Sequence, residues 1–297
     1  MVGADEIQRV GVVGCGLMGS GIAEVCARNG RSVKVVEVDT GALGRGRNRI
    51  ETSVQRAIAA GKLSEEEGSA TLDRIEISTD IGVLGDSQIV VEAVVEAEPE
   101  KLRVFEALDK VVEAPDALLT SNTSSIPIMK LAMATERPEQ VVGLHFFNPV
   151  PILPLVEVVA SLLSSEDAVG RAEQFAVDAL GKRAIRSKDR AGFIVNALLI
   201  PYLLSAIRMM ESGFATPEDI DTGMVKGCAH PMGPLALTDL IGLDTTMAVA
   251  NSLYEEFKEQ LYAPPPLLAR MVDAGLLGKK TGRGFYDYTG GEVKVAR

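Results

Sequence analysis

A chain of 297 residues that is 46% apolar and 24% charged is built like a soluble globular protein, with length enough for two domains. Its formal net charge of -11 argues against a general nucleic-acid surface. Three cysteines, Cys15, Cys26 and Cys228, match neither a disulfide frame nor a metal site in number or spacing, so no metal is expected and a reducing compartment suits them.

No basic-then-apolar leader precedes the first apolar run. The longest greasy stretch, 192–207, is interrupted by Asn196 and Pro201 and is short for a membrane span. A cytoplasmic protein without a membrane partner is therefore expected.

The first apolar run, Val10 to Val13, reads as a buried strand and leads into Gly14-Cys15-Gly16-Leu17-Met18-Gly19. A helical pattern spans Ser20 to Asn29 and stops at Gly30. A second strand, Val33 to Val38, carries Glu37 near its end. Strand, glycine-rich turn, helix, strand and acid together form a dinucleotide-binding unit. Gly14 permits the tight turn, Gly16 clears the path to a pyrophosphate, and Gly19 lets the helix pack on the strand. The helix N-terminus then faces the phosphates. A carboxylate at Glu37 accepts hydrogen bonds from the adenosine ribose and repels a 2′-phosphate, and no Arg directly follows it, so NAD is expected rather than NADP. Asp39 is a second ribose candidate or a cap of the next helix. Cys15 lies inside the phosphate turn, where its oxidation would reach the cofactor.

A long helix is expected over Ala42 to Ala60, with Arg45, Arg49 and Arg56 on one face and Ser53 near it. This basic stripe is either a phosphate clamp for a substrate or an exposed face balanced by Glu51. Ser64-Glu65-Glu66-Glu67 reads as a helix start. Strands follow near Ile75 to Ser78 and over Ser87 to Val95, the latter carrying Glu92 inside and Glu96 just past the core of the run. Pro99 opens a helix that continues to about Glu113.

A strand over Ala117 to Thr120 empties into Ser121-Asn122-Thr123-Ser124-Ser125, which suits a ligand site at a strand's carboxyl end and equally a cap before Ile126-Pro127. Gln140 to His145 is a further strand, and Leu155 to Val159 another with Glu157 at its centre. A buried unpaired carboxylate is costly, so Glu157 has a partner or faces water. A hairpin-like return would bring it to His145, where it would fix the tautomer and raise the basicity of the ring. An ordinary strand-end histidine is the alternative. His230, in a Pro- and Gly-rich loop, reads as structural.

A helix over Glu166 to Leu180 and a strand near Ala184 to Ser187 close the first half. From Gly192 the pattern is nearly all helical: Phe193 to Met210, Pro217 to Lys226, Leu235 to Lys258 and Pro266 to Ala274. The expected architecture is α/β, a Rossmann-like doubly wound sheet over 1–190 followed by an all-helical domain over 191–297, with the boundary near Lys188 to Gly192.

These residues make the chain resemble the bacterial 3-hydroxyacyl-CoA dehydrogenases, most closely those acting on 3-hydroxybutyryl-CoA. The matching stretches are the glycine turn, Val91-Glu92-Ala93-Val94, Ser121 to Ser125, His145-Phe146-Phe147-Asn148-Pro149, Gly192 to Asn196, Pro231-Met232-Gly233-Pro234 and Gly278-Lys279-Lys280-Thr281-Gly282, in the family's order.

The resemblance implies an NAD-dependent oxidoreductase of fatty acid metabolism with His145 as acid/base, Glu157 as its dyad partner, and Ser124 and Asn196 at the substrate's reacting end. It implies that Asn148 positions substrate or nicotinamide. Glu96, Lys101 and Lys280 would approach the cofactor with Gly14, Gly16, Leu17, Met18 and Gly19, and Glu37 replaces the usual Asp. Ser53 matches a CoA-contacting serine. Ala60 and Pro154 stand where many members carry lysine, with Arg56 or Lys62 as substitutes for the first. The implied partners are an acyl-CoA and a second copy of the chain, through the helical domain. The rivals are a dehydrogenase of carrier-bound or free 3-hydroxy acids and a non-catalytic NAD-binding protein.

Overall fold

The computed structural model describes residues 7–290 and 294–295. It divides into two compact units, Met1–Arg190 and Ala191–Arg297.

The first unit opens with β1 (Arg9–Val13), α1 (Leu17–Arg28) and β2 (Ser32–Val36), followed by α2 (Thr40–Ala59), α3 (Glu65–Asp73) and β3 (Ile75–Ser78). The helix α1 begins earlier than the expected Ser20, because Leu17 and Met18 already form its first turn behind Gly16 as N-cap. Ser64 caps α3 in a reciprocal box with Glu67. Next come β4 (Ile89–Glu92), α4 (Glu98–Val111), β5 (Leu118–Ser121), α5 (Ile128–Ala132), β6 (Val141–Phe146), β7 (Leu155–Ala160), α6 (Glu166–Gln174) with a π-helical turn to Ala179, and β8 (Arg183–Lys188).

The eight strands make one sheet in the order β3-β2-β1-β4-β5-β6-β7-β8. Neighbours are parallel except β6 and β7, which run antiparallel. Winding changes direction between β1 and β4, which puts a topological switch point at their carboxyl ends. Every residue of β4 and β5 is buried, as a parallel strand covered on both faces should be.

The second unit holds α7 (Val195–Glu211), α8 (Pro217–Thr222) with a π-helical turn to Gly227, α9 (Pro234–Ile241), α10 (Leu243–Phe257) and α11 (Pro266–Asp273), then a short ladder of β9 (Tyr286–Asp287) and β10 (Lys294–Val295). The single helix expected over Leu235 to Lys258 is two helices. Gly242 breaks it at φ +103°, a conformation that side chains avoid and glycine permits. Two carboxylates hold this unit's core. Asp221 accepts the Leu235 and Ala236 N–H groups and the Tyr286 hydroxyl, and Asp239 accepts the Phe285 and Tyr286 N–H groups and the Tyr288 hydroxyl.

Candidate active site

The glycine turn is shaped by close approach. Gly14 sits at φ +89°, donates to the Val36 carbonyl at 2.8 Å, and would drive a Cβ to 2.8 Å from the Ala93 carbonyl. A Cβ on Gly19 would fall 1.8 Å from the Gly14 carbonyl, so α1 packs on the turn only because this residue is glycine. Gly16 opens onto clear space, with no atom within 4 Å of where its Cβ would stand, and α1 has no side-chain cap. A cradle of N–H groups with room above it fits a dinucleotide pyrophosphate, so these residues would hold NAD. Leu17 is exposed beside this cradle, while Met18 packs partly against the core.

Glu37 accepts the Cys15 N–H on Oε1 at 2.5 Å and the Val38 N–H on Oε2 at 3.1 Å, so its carboxylate is at the turn. Asp39 accepts the Ala42 N–H at 2.7 Å and is the cap of α2. Burial first, and the charge of Glu37 second, push the Cys15 thiol up to about 12 against the opposing effect of Arg49.

At the carboxyl ends of β4 and β5, Lys101 lies buried between two acids, 2.6 Å from Glu92 and 3.2 Å from Glu96. Glu92 also accepts the Ser121 hydroxyl at 2.6 Å and the Val94 N–H at 2.7 Å. Oε1 of Glu96 gathers the loop after β5: the Thr123 hydroxyl at 2.5 Å, the Ser124 N–H at 2.9 Å, and the Ser125 N–H and hydroxyl at 3.1 and 2.9 Å. The Ser124 hydroxyl stands 3.5 Å from the same oxygen. Burial works to raise the Glu96 pKa, but Lys101 and these hydrogen bonds outweigh it and hold the carboxyl below its usual value.

The serines of this loop do not cap α5. Asp189 does so, accepting the Ile128 and Met129 N–H groups at 2.8 and 2.7 Å. Asn122 accepts the Phe146 N–H at 2.8 Å, which ties the loop to β6 one residue beyond His145.

His145 and Glu157 are partners in the β6–β7 register. Nδ1 of His145 lies 2.8 Å from Oε2 of Glu157, with the carboxylate at 0% exposure and the imidazole at 6%. Phe147 stacks edge-on to the ring at 4.7 Å. The loop between the two strands is pinned by Lys182, whose ammonium donates to the Val150 and Leu153 carbonyls at 2.6 and 2.7 Å.

Ser53, Arg56 and Asn148 line one open groove of about 500 Å³, together with Arg49, Ser20 and Glu24. The basic stripe is therefore divided. Arg49 and Arg56 reach this groove, and Arg45 is not among its lining residues. Lys62, exposed in the turn beyond α2, does not line it either. In the second unit Asn196 is half-buried in the first turn of α7, and Lys280 pairs with Asp244 at 2.6 Å.

Sequence reasoning missed Glu92, Asn122, Lys182 and Asp189 as parts of these arrangements. Glu92 carried a readable signal: an acid inside a fully apolar strand needs a cation, and Lys101 lies one helical start further on. The others act across loops, where the sequence gives no register.

A switch-point sheet, a glycine cradle and an acid just past the second strand define a dinucleotide-binding core, and the same sheet carries a buried His–Glu pair. Residues 9–190 match the 3-hydroxyacyl-CoA dehydrogenase NAD-binding domain, and residues 192–288 match the C-terminal domain of the same enzymes. The chain belongs to the 3-hydroxyacyl-CoA dehydrogenase family, and its cofactor is NAD.

It is 59% identical to the 3-hydroxybutyryl-CoA dehydrogenase of Mycobacterium tuberculosis over 285 residues, which is 96% of this chain and 100% of the relative. The crystal structure of M. tuberculosis FadB2 superposes with a TM-score of 0.95 at 59% identity, covering 95% of this chain and 99% of the other. That of (S)-3-hydroxybutyryl-CoA dehydrogenase from Ralstonia eutropha does so with a TM-score of 0.90 at 43% identity, covering 95% and 99%.

Proposed function

We propose that the chain interconverts 3-hydroxybutyryl-CoA and acetoacetyl-CoA, with His145 as the acid/base. The observation that carries this reading is the buried Nδ1–Oε2 contact of 2.8 Å between His145 and Glu157, set by strand register at the carboxyl end of β6. Proton transfer runs through Nε2, because Nδ1 faces Glu157. In the oxidising direction His145 takes the 3-hydroxyl proton, and Glu157 stabilises the imidazolium as it forms. NAD, which the Gly14–Gly19 turn and Glu37 would hold, would supply the hydride acceptor for C3 and, reduced, the hydride donor for the reverse direction. His145 then protonates the alkoxide oxygen.

Ser124, held by Glu96, would donate to the substrate oxygen, and Asn148 would orient the acyl group. Glu96 and Lys101 fix that loop against the cofactor, and Glu37 holds the ribose. By resemblance, Asn196 hydrogen-bonds the substrate and Lys280 approaches the cofactor. Ser53 and Arg56 would receive the CoA arm along the groove beside Asn148, and Lys62 would meet its phosphates only from the rim.

A homodimer is part of the reading. The second unit leaves Leu198 and Phe214 at 72% and 79% exposure, and a partner copy would cover such side chains. Sedimentation as a monomer at micromolar concentration would count against it. A reducing cytoplasm suits three free cysteines.

The test is NADH oxidation with acetoacetyl-CoA and, separately, with its pantetheine thioester. Turnover with a KM at least about tenfold lower for the CoA ester supports CoA recognition in the groove. Equal KM values would move the substrate to an acyl group on another carrier.

A further inference from the structure

Beside the glycine turn stands a cation, Arg49, whose contact with that turn the basic stripe in the sequence does not reveal. We infer that Arg49 is a latent ligand for a 2′-phosphate, and that Glu37 alone keeps this chain on NAD. The inference rests on the reading of Glu37 as the ribose ligand.

Cys15 is gripped from both ends. Oε1 of Glu37 accepts its N–H at 2.5 Å, and Nη1 of Arg49 donates to its carbonyl at 3.3 Å. The helix α2 is pressed onto the same residue. A Cβ on Gly46 would lie 2.6 Å from the Cys15 Cβ, so glycine there lets α2 approach, and Arg49 follows one turn later on that face. Both charges act on the buried Cys15 thiol, Glu37 raising its pKa and Arg49 lowering it, so the carboxylate and the guanidinium flank one residue of the turn. The rest of the Arg49 side chain is exposed, and among the described residues it has no ion-pair partner.

An acid at the end of the second strand repels a 2′-phosphate, whereas an arginine nearby accommodates one. This site has both. Arginine suits the task because its planar fork matches a phosphate and its charge persists at any working pH. Twelve positions separate Glu37 from Arg49 in sequence, and the helix closes that distance. With the carboxylate removed, the guanidinium is already placed beside the turn where the ribose lies.

The experiment measures binding of 2′,5′-ADP and 5′-AMP by calorimetry, and NADPH- and NADH-dependent reduction of acetoacetyl-CoA. The proteins are the wild type, Glu37→Ser, the near-isosteric Glu37→Gln, and each combined with Arg49→Met. Expected is a gain of about ten- to a hundredfold in 2′,5′-ADP affinity and NADPH kcat/KM in the single Glu37 variants, the range of one hydrogen bond to a charged group. That gain should weaken as salt rises. It should vanish in both double variants.

A gain that survives Arg49→Met overturns the inference, since another cation would hold the phosphate. Absence of any gain in either Glu37 variant that still binds 5′-AMP also overturns it, because Glu37 would not be the barrier. The 5′-AMP arm tests the underlying reading separately: an affinity unchanged from wild type in both Glu37 variants would show that Glu37 is not the ribose ligand.

Discussion

His145 and Glu157 pair across adjacent antiparallel strands, whereas Lys101 stands between two carboxylates that in turn collect donors from Ser121 to Ser125. His145, Glu157, Lys101 and Glu92 are all buried, while Glu96 reaches the surface, and the two assemblies belong to one sheet. They differ in what a proton would do there. An imidazole is the side chain that gains and loses a proton near neutrality, and a carboxylate neighbour stabilises its protonated state. An ammonium keeps its proton to far higher pH and serves as a fixed counter-charge. The first assembly suits proton transfer, and the second suits holding a loop still while transfer occurs.

Apart from His145 itself, the largest expected effect breaks the fixed assembly. Lys101→Met leaves Glu92 buried at 0% exposure without its cation. Removing one partner of a buried pair costs about 3–5 kcal/mol, which urea denaturation would register. Unchanged stability would mean that Glu92 is protonated or finds another partner. Glu157→Gln acts on the other assembly. It keeps the shape beside Nδ1 and removes the charge that stabilises the imidazolium, so kcat should fall by about 10²-fold with stability little changed. A drop in stability without a drop in kcat would reverse the roles assigned to the two assemblies.

A smaller effect sharpens the comparison through pH. The Glu96 carboxyl titrates below its usual value, so its charged form stabilises the fold above the unfolded carboxylate range, near pH 4.3, and that contribution is lost as pH falls through the folded value. The stability gap between wild type and Glu96→Gln should therefore be constant near neutrality and close on acidification below about pH 4. A gap that persisted at the acid end would assign the effect to shape rather than charge. The smallest effect concerns Cys15. With its thiol pushed up to about 12 and the side chain at 0% exposure, almost no thiolate exists at neutral pH. Mild peroxide should leave NADH affinity unchanged, and a loss of affinity would show that the turn opens.

What could be read from the sequence follows the range over which each feature is determined. The unit from β1 to β2 was legible because glycine spacing and the acid's distance are local facts, and the structure places Glu37 at the turn as that spacing implied. The His145–Glu157 contact was legible only as one of two alternatives, since register depends on a loop whose path Lys182 fixes from the turn before β8. Helix caps show the same limit. Asp39 caps α2 from the adjoining residue, while α5 takes its cap from Asp189, about sixty positions on. The break between α9 and α10 was missed because an apolar helical pattern ran through Gly242 without interruption. Arg49 belongs with these: its place on a basic stripe was visible, and its hold on the Cys15 carbonyl was not.

Everything proposed for the reaction turns on His145 moving the proton. The direct test is the steady-state rate of NADH oxidation by acetoacetyl-CoA in His145→Gln beside the wild type, with NADH binding followed by fluorescence in both. A loss of about 10²–10⁴-fold in kcat with NADH affinity retained is the predicted result. Turnover near the wild-type rate in a folded, NADH-binding variant would contradict it.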